Sequence, residues 1–97
     1  MTMIHLTATF DAKDGAEQEL QTLLTALIEP TRNEPGCVSY RLFKDANVAG
    51  RFVFQEQFAN QEAFDFHSQQ PYLQNLLGQL DRILKDEPVI AFFEEIG

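Results

Sequence analysis

The constraint that most narrows the fold of this chain is a pattern that occurs twice. Apolar residues first alternate, then recur every three or four positions, then alternate again. Period two belongs to strands and a period of 3.6 to helices, so each half reads as strand, helix, strand. From Met3 to Phe10, Ile4, Leu6, Ala8 and Phe10 share one side while His5, Thr7 and Thr9 take the other. Cys37 to about Lys44 and Arg51 to Phe58 give the second and third strands, and the short polar loop Asp45 to Gly50 makes them an antiparallel hairpin. Val89 to Ile96 is apolar on both sides and rich in β-formers, which predicts a last strand covered on both faces.

Asp14 followed by Glu17 has the spacing of a capping box and predicts a first helix starting near Gly15. Its stripe is Ala16, Leu20, Leu23, Leu24, Leu27 and Ile28, and Pro30 should kink or stop it by removing a backbone donor and crowding Ala26. Glu34-Pro35-Gly36 turns the chain. Asn60 can cap a helical turn carrying Phe64 and His67, and Pro71 suits the start of a further helix striped by Leu73, Leu76, Leu77, Leu80 and Leu84. With right-handed crossovers, the βαββαβ order predicts an α+β fold, a ferredoxin-like sandwich forming one domain over residues 1–97. The helices cover one side of the sheet only. Apolar residues on the other side, including one set from the last strand, predict a homodimer joined sheet to sheet.

Charge removes several partners. Seven Lys and Arg face fifteen Asp and Glu, a net charge of -8, so the cationic face that phosphate backbones require is missing and no nucleic acid is expected. The apolar runs are short, which predicts no membrane span and, with no basic-then-apolar N-terminal segment, a cytoplasmic protein. One cysteine, Cys37, cannot form an internal disulfide and reads as a small apolar filler. No phosphate loop, nucleophile elbow or His-Glu-x-x-His occurs, and His5 lies far from His67, so neither a metal nor a nucleotide is expected.

Two placements point to chemistry. Glu56 shares a strand face with Phe52, Phe54 and Phe58, where a carboxylate must be neutralised, paired or hydrogen-bonded; burial would raise its pKa and make it a donor or base near neutrality. The alternative is an exposed strand end or an ion pair with Arg41 or Arg51. His67 follows Phe64 by one turn, on the inward face, and can take a phenolic proton or simply hydrogen-bond a carbonyl. Tyr40, between Val38 and Leu42, and Tyr72, beside Leu73, can line a pocket or fill a core.

The segments Glu34-Pro-Gly-Cys-Val-Ser-Tyr40, Phe54-Gln-Glu56-Gln-Phe58 and Ala63-Phe-Asp-Phe-His67, in that order, resemble the antibiotic biosynthesis monooxygenase family, most closely its quinol-monooxygenase-like members. The resemblance implies a dimeric α+β barrel and oxygenation of a quinol or phenol by O2 with no cofactor. It implies His67 and Glu56 as catalytic residues and an aromatic position at Phe58; many relatives have tryptophan there, and this chain has none. The pocket expected for a small aromatic substrate adds Tyr40, Phe54, Phe66 and Tyr72. Two other readings remain open. Relatives of this fold that process a signalling sugar derivative move protons on a ketone, and such a polar ligand needs Arg41, Arg51 or Lys44 at the cavity mouth. A binding module without turnover is the other. The haem-degrading branch shares the layout but uses a tryptophan and a helical histidine, where this chain offers Leu73, Leu76, Leu77 and Leu80.

Overall fold

The polar loop after Lys44 folds the chain back on itself, so that β2 (Cys37–Lys44) and β3 (Arg51–Phe58) pair antiparallel as the hairpin predicted from sequence. In the computed structural model, which describes residues 2–97, β1 (Ile4–Asp11) lies on the other side of β3, and β4 (Val89–Phe93) on the other side of β1. The order is β2-β3-β1-β4 and every pairing is antiparallel. Helical segments join β1 to β2 and β3 to β4, which makes the fold ferredoxin-like.

Each helical segment is broken in two. α1 (Glu17–Thr25) stops before α2 (Ile28–Arg32), which carries Pro30 in its first turn, where the missing N–H needs no partner. The break therefore precedes the proline rather than falling on it. α3 (Gln61–Ser68) opens on Asn60, whose side chain accepts the Ala63 N–H at 2.9 Å, and α4 (Pro71–Leu80) has its proline at the first position. The expected Asp14 cap does not form. Gly15 adopts φ +89°, and the Ala16 N–H bonds back to the Lys13 carbonyl, so the helix begins later; the Glu17 carboxylate instead accepts the Gly15 N–H at 3.0 Å.

The core lies between the sheet and the helices. Leu6, Ala8 and Phe10 from β1 and Phe52, Phe54 and Phe58 from β3 meet Leu20, Leu24, Leu76 and Leu80. Gly36 locks the turn before β2 onto α3, because a Cβ at Gly36 would overlap the Ala63 side chain, and the Gly36 carbonyl accepts the Ala59 N–H at 2.8 Å.

The last strand departs from expectation. It ends at Phe93 at the edge of the sheet, and Val89, Ile90, Phe92 and Phe93 are between 48% and 61% exposed. The open face is mixed, as the alternation of β1 predicts. The inner strands β1 and β3 present His5, Thr7, Thr9, Val53, Gln55 and Gln57 there, beside Phe43 of β2 and Val89, Ala91 and Phe93 of β4. Among the described residues, no helix is long and apolar enough to cross a membrane.

Candidate active site

Alternation along β3 fixes the first functional side chain. Glu56 points to the helix side with Phe54 and Phe58, and its cross-strand neighbours are Leu6 on β1 and Tyr40 on β2. It is 6% exposed and pairs with neither Arg41 nor Arg51: the Arg51 Nε bonds Asp11 at 2.7 Å, and Arg41 lies on the open face over the Phe43 ring. Burial, and then the nearby charge of Glu34, push the Glu56 carboxyl up to about 7.

His67 comes from α3. Phe64 and His67 are three residues apart on one helix face, and both point at the sheet. The imidazole is 3% exposed and wedged between the rings of Phe58 and Tyr40, at centroid distances of 4.9 and 5.6 Å. Its Nδ1 lies 3.0 Å from Glu34 Oε2 and its Nε2 lies 3.9 Å from Glu56 Oε1. The first distance is a hydrogen bond and the second is not.

Glu56 and His67 share the wall of a cavity of about 210 Å3 between sheet and helices. The remaining wall is mostly apolar, with Leu6, Phe10, Tyr40, Phe54, Phe64 and Leu73 prominent. An apolar chamber of about 150 Å3 already holds a benzene ring, so this one accommodates a small aromatic compound. Tyr40 stacks on Phe54 at 4.6 Å, and burial holds its hydroxyl well above the usual phenol range.

Three of the expected pocket residues stand elsewhere. Phe66 is 49% exposed and borders a shallow surface depression with Pro35 and Asn60, because on α3 it projects away from the face shared by Phe64 and His67. Phe58 is fully buried behind His67 and supports that ring from the side away from the cavity. Tyr72 is absent from the cavity wall; its hydroxyl donates to Glu34 Oε2. Phe64, one turn before His67, takes the place expected of Phe66. None of Arg41, Arg51 and Lys44 lines the cavity, so the polar-ligand reading lacks the cations it requires. His5 sits on the open face, 3.7 Å from Glu95. Among the described residues, no three His, Cys, Asp or Glu side chains are arranged to hold a metal ion.

Glu34 was not singled out for a role from sequence. In a Pro-Gly turn a glutamate reads as solvated, yet it is 7% exposed because Gly36 lets the turn settle against α3. The sequence signals were the glycine and the place of Glu34 at the head of the first segment of the family resemblance.

Comparison with known proteins agrees with this architecture. The family model described as antibiotic biosynthesis monooxygenase matches residues 3–78. The sll1783 protein of Synechocystis sp. is 32% identical over 82 residues, 84% of this chain, and the match spans only 56% of that protein's length. Rv0793 of Mycobacterium tuberculosis is 36% identical over 77 residues, 79% of this chain and 75% of its own. The Rv0793 structure superposes with a TM-score of 0.93, covering 99% of this chain and 97% of that one. PA3566 of Pseudomonas aeruginosa superposes equally well, with a TM-score of 0.93 at 26% identity, over 100% and 97% of the two chains. With the family model spanning the first three strands, both buried ionisable residues of the cavity and most of α4, the chain belongs to the antibiotic biosynthesis monooxygenase family.

Proposed function

We propose that the protein is a cofactor-independent monooxygenase that oxidises a small aromatic quinol or phenol with O2 inside the cavity. The observation that carries this reading is one imidazole and one acid, His67 and Glu56, on the wall of a mostly apolar chamber. Triplet dioxygen reacts slowly with a closed-shell quinol and faster with its anion, which readily gives up one electron. For a hydroquinone with a free ring C–H the balance closes: quinol plus O2 gives hydroxyquinone plus water. All four electrons come from the substrate, one oxygen enters the ring, and no external reductant is needed.

The protein then has three tasks: to take the hydroxyl proton, to hold the ring, and to exclude water. His67 takes the proton. Glu56, with a pKa of about 7, is present in both forms near neutrality and can supply a proton to the oxygen that leaves as water. Tyr40, Phe54 and Phe64 offer flat surfaces to the ring.

Protein freed of metal and flavin should accelerate oxygen uptake with menadiol above the spontaneous rate; equal rates with and without protein would remove the oxygenase reading for quinols. Ligand affinity without product would instead identify a binding module. The titration of Glu56 should appear as a limb of the kcat/KM profile near pH 7 that Glu56→Gln abolishes. Stability gives a second readout. A carboxyl raised from 4.5 to about 7 by folding favours the folded state below pH 4.5, and that contribution fades as pH rises through 7. Glu56→Gln should therefore gain on the parent protein by roughly 1–3 kcal/mol between pH 4.5 and 8, by urea denaturation. A constant difference across that range would show that Glu56 titrates normally.

The proposal includes a homodimer through the open sheet face, where Val89 and Phe93 stand in solvent in the single chain. Sedimentation at micromolar concentration should give about twice the 11.1 kDa chain mass, and a monomer would contradict this pairing.

A further inference from the structure

We propose that Glu34 is a positioning residue that fixes His67 in the tautomer protonated at Nδ1, so that the base is the Nε2 lone pair on the side of Glu56 and the cavity. The inference rests on the reading of His67 as the base and specifies which nitrogen acts.

Geometry supplies the argument. Glu34 Oε2 lies 3.0 Å from His67 Nδ1 and accepts from the Tyr72 hydroxyl, while Oε1 is buried with no hydrogen-bond partner. An ionised carboxylate only accepts hydrogen bonds, and Glu34 Oε2 already accepts from the Tyr72 hydroxyl. The ring nitrogen facing it must therefore carry the proton. A neutral imidazole has a single N–H, which leaves Nε2 unprotonated on the opposite edge, nearest Glu56.

The ring has little freedom to turn over. Phe58 and Tyr40 flank it, and Glu34 is held in turn by Tyr72 from α4 and by the close approach of Gly36 to Ala63. A buried carboxylate with one oxygen unpaired is a costly way to fill space, and a glutamine would fill it without the charge. A tautomer fixed toward the substrate is a return that only the charged form secures.

The test is the nitrogen NMR of the His67 ring in 15N-labelled protein, assigned by its disappearance in His67→Ala. The parent protein should show a protonated Nδ1 and an unprotonated Nε2. Glu34→Gln, whose amide can donate to Nδ1, should reverse or average that pattern and lower kcat with menadiol about 10²-fold while KM stays within about twofold. Glu34→Asp, which keeps the charge, should restore part of kcat. A parent protein protonated at Nε2, or a Glu34→Gln spectrum identical to the parent's, overturns the proposal. The parent spectrum decides even if Glu34→Gln fails to fold, and Tyr72→Phe, which spares the carboxylate, should keep Nδ1 protonated; a reversed tautomer there overturns the assignment to Glu34. The spectra do not depend on turnover. The expected nitrogen pattern with no menadiol oxidation supports the positioning role and removes only the oxygenase reading.

Discussion

Replacing His67 by alanine should lower kcat for quinol oxidation about 10²–10⁴-fold and leave KM nearly unchanged, because a general base acts on the transition state rather than on substrate affinity. Two structural facts localise the effect. Among the described residues the imidazole is the only histidine ring on the cavity wall, and the acid beside it, Glu56, lies 3.9 Å away, beyond hydrogen-bonding distance. The substitution also strips Glu34 of one of its two hydrogen-bond partners and removes a ring packed on Phe58, so the variant should lose stability as well. Stopped-flow oxygen uptake, at a temperature where circular dichroism shows the variant folded, separates the two losses. Parent-level kcat in the folded variant would clear His67 of any role in proton removal.

The second large effect is structural. Phe54 is 1% exposed, stacks on Tyr40 at 4.6 Å and meets Phe10 edge-on at 6.2 Å, so it joins β3 to its neighbours on both sides and also forms cavity wall. Phe54→Ala should cost about 3–5 kcal/mol, the usual range for a phenylalanine deleted from a tight core. A domain of this size has roughly 5–15 kcal/mol in total, so the variant should be close to unfolding at moderate temperature. Phe66→Ala is the matched control. Half in solvent and off the cavity wall, it should shift stability by less than about 1 kcal/mol and leave turnover alone. Urea denaturation of the two variants checks both statements, and similar losses would mean that the two rings have been assigned to the wrong environments.

The contrast between those two phenylalanines shows what a sequence discloses. Period two is rigid, so Phe54 and Glu56 could be placed on the buried face of β3 without a structure, and β2 and β3 end where the alternation ends. The turn of α3 that carries Phe64 and His67 inward follows from spacing as directly. Phe66 falls off the cavity wall although it neighbours His67 in sequence, because adjacent residues on a helix face different ways. Tyr72 and Glu34 were hidden for another reason. Their meeting depends on how closely the Pro35-Gly36 turn approaches α3, and that distance is set by tertiary packing at Gly36 and Ala63 rather than by local pattern. The last strand was legible in composition but not in environment, since an apolar stretch reads alike whether its cover is a helix of the same chain or a second copy.

Isotope labelling tests the central claim most directly. With 18O2 and menadiol, the protein should yield a hydroxyquinone carrying one labelled oxygen for each O2 consumed, with the other in water and no reductant added. His67→Ala should fall to the spontaneous background. Unlabelled quinone and hydrogen peroxide as the sole products, formed at equal rates with and without the protein, would contradict the account.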